Sequence, residues 1–154
     1  MSEQIRVAVV GAAGKMGSAA CDAVTADPAM TLVAALDQGD DLARLVDADA
    51  QVVVDFTHPE AVMATVEAAI AAGIHLVIGT TGFTDERLRQ VESWLAQQRG
   101  IGVLVAPNFS VGAVLMMRFA EQAAAFFDSV EIIELHHPGK ADAPSGTAVR
   151  TAQR

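Results

Sequence analysis

The chain has 154 residues, 52% of them hydrophobic and 19% charged, with 10 Lys and Arg against 19 Asp and Glu. That length fits one domain, or one domain and the start of a second, and the hydrophobic content excludes wholesale disorder. A net charge of −9 argues against nucleic acid or an anionic membrane as the main partner, although a small anion responds to local donors rather than to the total.

The single cysteine, Cys21, rules out a disulfide framework within the chain and any multi-cysteine metal cluster. The N-terminus lacks the basic start and apolar stretch of a signal peptide. No run approaches the ~18 apolar residues of a membrane span. These features predict a cytoplasmic protein with a small-molecule partner.

Short apolar runs alternate with Ala-rich helical stretches along the whole chain. Ile5–Val10 predicts a buried strand, followed by a helix over Met16–Ala26. Thr31–Leu36 predicts a second strand, and Gln51–Phe56 a third with a helix over about Glu60–Ala72. His75–Ile78 is the fourth, with a helix over Asp85 to about Gln98. Val103–Ala106 is the fifth, with a helix over about Val111–Phe127, and Val130–Leu135 is a sixth apolar run. Near-continuous apolar strands separated by helices imply a parallel sheet covered on both faces, and right-handed crossovers make it doubly wound, of the Rossmann type.

The unusual residues fall at the carboxyl ends of the predicted strands, where open α/β sheets bind ligands. Gly11, Gly14 and Gly17 follow the first strand, Thr57-His58-Pro59 the third, Gly79-Thr80-Thr81-Gly82 the fourth and Ala106-Pro107-Asn108-Phe109 the fifth. Glycines spaced three and three are a relaxed dinucleotide fingerprint, in which a sharp turn brings backbone and helix N-terminus against a phosphate. Asp37 ends the second strand 20 residues beyond Gly17, where a carboxylate can accept hydrogen bonds from ribose hydroxyls. Gln38 follows it rather than an arginine, which tilts the cofactor toward NADH, although Lys15 can partly serve a phosphate.

Several of these residues have plainer alternatives. Gly79–Gly82 is either a nicotinamide-side loop or an ordinary turn with Thr84 as helix cap. Phe56 either packs beside a cofactor or belongs to the core, and Asn108 either orients a carboxamide or makes a side-chain turn bond. His58 and His75 read as structural, and Cys21 and the methionines as helix packing.

The segment from Glu134 to Ala148 carries the most unusual chemistry. His136 and His137 are adjacent, with Lys140 close behind, and Pro138-Gly139 ends any strand there. Three cationic or potentially cationic groups on one loop of an acidic protein suggest an anion site, and Ser145-Gly146-Thr147 reads as a helix start whose N–H groups suit a carboxylate. The alternatives are a wet polar loop or, more weakly, a metal site on the two histidines and Asp142. No metal is expected.

Together these motifs resemble the dihydrodipicolinate reductase family of bacterial lysine and diaminopimelate biosynthesis, with Glu134 and Asp55-Phe56-Thr57-His58-Pro59 most like its actinobacterial branch. The resemblance implies an NAD(P)H-dependent oxidoreductase that passes hydride to a cyclic unsaturated dicarboxylate. It implies His136 and Lys140 as proton donors, and His137, Gly146 and Thr147 as substrate-binding residues. The nucleotide contacts it implies are Gly11, Ala12, Ala13, Gly14, Lys15, Met16, Asp37, Gly79, Thr80, Thr81, Ala106, Pro107, Asn108 and Phe109.

The family's chain is longer and forms a homotetramer. The expectation is therefore a dinucleotide-binding domain over residues 1–129. Residues 130–154 are expected to be the start of a substrate-binding and tetramerisation domain (one strand, the catalytic loop and the first turn of a helix) whose remainder is absent. A bare nucleotide-binding module without catalysis is the alternative.

Overall fold

A computed structural model describes residues 4–106, 108–136, 138 and 143–154. The chain divides into two compact units, Met1–Ala106 and Pro107–Arg154.

The first unit is a five-stranded parallel sheet formed by β1 (Ile5–Val10), β2 (Met30–Leu36), β3 (Val52–Asp55), β4 (His75–Ile78) and β5 (Val103–Val105), in the order β2-β1-β3-β4-β5. The helices α1 (Lys15–Ala26), α2 (Arg44–Asp47), α3 (Val62–Ala71) and α4 (Asp85–Gln97) connect them. The chain first builds outward from β1 to β2, then crosses back to place β3 on β1's other side. With right-handed crossovers this reversal puts α1 on one face of the sheet and α3 and α4 on the other. Side-chain alternation matches: Val53, Leu76 and Ile78 join the cluster containing Val62, Val66 and Ile70 of α3, and all are buried.

Most predicted elements lie within two residues of their expected bounds. The one-turn α2 was not anticipated; it interrupts the polar stretch after β2 and buries Leu45 at 1% exposure. His75 is structural as expected, its Nδ1 accepting from the Gly102 N–H at 2.9 Å.

The second unit contains α5 (Val111–Ala124) and α6 (Gly146–Ala152), which pack together. The helix expected to reach Phe127 ends at Ala124. The sixth apolar run is not a strand: among the described residues 130–136 have no ladder partner, and Ile133 and Leu135 are 83% and 92% exposed. Apolar composition allows a strand, but only a neighbouring backbone supplies its hydrogen bonds. Among the described residues no helix is long and apolar enough to cross a membrane.

The junction of β1, β3 and α1 is the tightest place in the first unit. Gly11 has φ +81°, and a Cβ on it would stand 2.5 Å from the Phe56 carbonyl oxygen. A Cβ on Gly17 would fall on the Gly11 carbonyl. Both obstacles are backbone, so neither can swing aside. We expect Gly17→Ala to cost about 3 kcal/mol, lowering Tm by roughly 6–12 °C for a chain of this size. A thermal melt showing an unchanged midpoint would contradict this packing.

Candidate dinucleotide site

The topological switch between β1 and β3 opens at the carboxyl ends of the strands, and a cleft of about 870 Å³ lies there. Its walls come from four turns: Gly11, Gly14, Lys15 and Met16 after β1, Asp37–Asp40 after β2, Phe56–Glu60 after β3 and Gly79–Thr81 after β4. Segments up to 70 residues apart in sequence therefore meet because a parallel sheet brings every strand's carboxyl end to one edge.

The turn after β1 is held by its own backbone. The N–H groups of Gly11 and Ala12 both donate to the Leu36 carbonyl, at 2.9 and 3.0 Å, and Gly14 N–H donates to Gly11 at 3.2 Å. Ala13 N–H donates to Asp37 Oδ2 at 2.6 Å, while Gln38 N–H donates to Asp37 Oδ1 at 2.8 Å. These two backbone bonds, from Gln38 first and Ala13 second, hold the exposed Asp37 carboxyl below its usual range, with a smaller contribution from His58. Asp37 thus braces the glycine turn, a role its position in the sequence did not suggest. Its neighbour Asp40 accepts from Asp37 N–H at 2.8 Å and pairs with Arg44 at 2.6 Å.

On the far side, Asp55 is buried at 0% exposure at the end of β3. Its Oδ1 accepts from Thr57 N–H (3.0 Å), Thr57 Oγ1 (2.9 Å) and Thr80 Oγ1 (2.6 Å), tying the β3 turn to the β4 turn. Arg87 ties the same turns from outside through the Pro59 and Gly82 carbonyls, at 2.7 and 3.1 Å. Thr84 caps α4, as the plainer reading of that loop expected. Phe56 lines the cleft rather than the core, and so does His58, which the sequence had marked as structural. Neither Asp55 nor His58 carries a spacing that the glycine fingerprint would flag.

The remaining predicted residues belong to other segments of the chain. Ala106 extends the sheet by donating its N–H to the Ile78 carbonyl at 2.8 Å. In the second unit, Asn108 makes the expected turn bond, Oδ1 accepting from Ser110 N–H at 2.6 Å, and its Nδ2 donates to Thr147 Oγ1 at 3.1 Å. Phe109 is 46% exposed. His136 places Nδ1 3.8 Å from Glu134 Oε2, and Glu134 Oε1 accepts from Ser145 N–H at 2.7 Å. Ser145 Oγ caps α6 by accepting from Ala148 N–H at 3.1 Å, leaving the N–H groups of Gly146 and Thr147 outside that cap. Pro107, His137, Lys140 and Asp142 lie outside the described residues.

The model of the dihydrodipicolinate reductase N-terminus matches residues 5–109, and that of its C-terminus matches residues 112–154. The chain belongs to the dihydrodipicolinate reductase family. It is 58% identical over 149 residues to the 4-hydroxy-tetrahydrodipicolinate reductase of Mycolicibacterium vanbaalenii, covering 97% of this chain and 61% of that one. It is 60% identical over 148 residues to the Nocardia farcinica enzyme of the same name, covering 96% and 60%. Among solved structures it matches a dipicolinate-bound dihydrodipicolinate reductase from Paenisporosarcina sp. TG-14, with a TM-score of 0.75 and 42% identity over 98% of this chain and 65% of that one. The chain spans about 61% of the length of the first of these relatives.

The family and fold call for a nicotinamide cofactor, and the residues present fit one. The glycines at 11 and 17 stand where side chains would collide with backbone, so the turn stays narrow and the start of α1 faces the cleft with its unshared N–H groups. Because folding lowers the pKa of Asp37, its contribution to stability is present above the ordinary carboxylate range, about pH 4. It is lost as pH falls through the lower folded value. Asp37→Asn should therefore flatten the acid limb of the Tm-against-pH curve below about pH 4. An acid limb of unchanged steepness in the variant would show that Asp37 is not held by the turn.

Proposed function

We propose that the chain carries the cofactor-binding half and the start of the substrate site of a 4-hydroxy-tetrahydrodipicolinate reductase, a cytoplasmic enzyme of lysine and diaminopimelate biosynthesis. The observation that carries this reading is the meeting of Gly11, Gly14, Lys15, Met16, Asp37 and Gly79–Thr81 in one cleft, in a chain whose two parts match the two family models. On this reading residues 1–129 form the dinucleotide domain and residues 130–154 begin the substrate and tetramerisation domain.

The bound cofactor supplies a hydride. The chain's own residues do the rest. The turn from Gly11 to Met16 receives the pyrophosphate against backbone N–H groups at the start of α1. Asp37 reaches the adenosine ribose with the lone pairs that Ala13 and Gln38 leave unused. The Asp37 carboxylate at this end of the cleft disfavours a 2′-phosphate and favours NADH over NADPH, the charge of Asp40 being matched by Arg44. Gly79–Thr81 and the Ala106–Phe109 segment then serve the nicotinamide side.

For the substrate, the carboxylates of a cyclic dicarboxylate fall to His137 and to the Gly146 and Thr147 N–H groups. Hydride arriving on the conjugated ring leaves negative charge there, and His136 and Lys140 supply the neutralising proton. Glu134 Oε2 stands 3.8 Å from His136 Nδ1, close enough to orient the imidazole.

NADH fluorescence should saturate at micromolar concentration, and pyridine-2,6-dicarboxylate should bind more tightly once NADH is present. Absence of that cooperation, with NADH bound, would leave the nucleotide-binding module as the better reading. His136→Gln should reduce turnover about a hundred- to ten-thousand-fold while leaving NADH affinity unchanged. Undiminished turnover would remove His136 from the mechanism.

A further inference from the structure

The buried carboxylate of Asp55 has no part in the scheme above, yet its bonding is lopsided. All three of its donors (Thr57 N–H, Thr57 Oγ1 and Thr80 Oγ1) converge on Oδ1. Oδ2 is equally buried and has no partner among the described residues. A carboxylate kept only for architecture would be expected to satisfy both oxygens, because an unmade bond at a buried polar atom is costly. Here every bond comes from one of two residues that line the cleft, Thr57 and Thr80.

A threonine hydroxyl has one proton to donate and two lone pairs. The Thr57 N–H can only donate, so Oδ1 is the acceptor at this junction, and both hydroxyl protons point at it. Toward the cleft, Thr57 and Thr80 are therefore left with lone pairs alone. We propose that Asp55 is a positioning residue that fixes the hydrogen-bond polarity of this end of the cleft: it turns two threonine hydroxyls into acceptors, and so selects a ligand group that donates. β4 stands three strand spacings from β2, roughly 14 Å, so with the adenosine ribose at Asp37 the group arriving at Thr80 belongs to the opposite end of the dinucleotide. Its donor is the primary amide of the nicotinamide.

The inference rests on the dinucleotide reading of the cleft, and one set of titrations separates the two. The probes are NAD and its analogue with nicotinic acid in place of nicotinamide, whose carboxylate has no N–H to give. Calorimetry on the full chain should show NAD binding more tightly, and Thr80→Val should narrow that preference by about 3- to 10-fold, the worth of one hydrogen bond. Thr80→Ser, which keeps the hydroxyl, should restore it. Asp55→Asn should narrow it as well; if that variant does not fold, the Thr80 pair still decides the matter.

Equal affinity of the unaltered chain for both probes would overturn the polarity assignment and leave the dinucleotide site intact. A preference that survives Thr80→Val would do the same. Failure of the unaltered chain to bind either probe would overturn the dinucleotide reading, and the role of Asp55 with it.

Discussion

The organisation of the first unit depends on a backbone contact that only glycine permits. Where β1 ends, the Gly11 carbonyl occupies the space a Cβ on residue 17 would need, and the Phe56 carbonyl occupies the space of a Cβ on residue 11. Those approaches let α1 start directly above β1 and bring the β3 turn alongside. The cleft is what remains between them. Because each obstacle is main chain, the junction has no soft direction in which to relax.

Two aspartates then divide the cleft between them by environment. Asp37 sits in solvent, and its carboxylate is kept charged by two backbone N–H groups. Asp55 is fully buried and bonded mainly to hydroxyls. The first stiffens the glycine turn; the second joins the β3 turn to the β4 turn. A net charge of −9 does not by itself oppose an anionic cofactor under the proposed function, because oriented N–H groups act at short range while the remaining charges are screened beyond about 10 Å.

The second unit follows a different balance. Met117 is the one buried residue of α5, whereas Phe119, Phe126 and Phe127 are 61%, 85% and 67% exposed. What orders the unit locally is polar: Ser110 and Ser145 cap their helices, Asn108 reaches Thr147, and Glu134 receives the Ser145 N–H. Such bonds are worth about 1 kcal/mol each, far less than the burial that holds the sheet. His136 stands in this unit beside Glu134.

The sequence by itself determined the parallel α/β fold, nearly every strand, the glycine turn and the family. Each is written locally, in continuous apolar runs such as Val52–Val54, in breakers at their ends and in fixed spacings. Tertiary structure alone decided that Asp37 braces the turn and that Phe56 and His58 line the cleft. It also decided that Asp55 bonds to Thr80, 25 residues away in sequence, as well as to Thr57, and that Val130–Leu135 pairs with no strand among the described residues. A hydrogen bond across strands depends on register, and a strand depends on a neighbour. Neither can be read from composition along one segment, because both belong to pairs of segments.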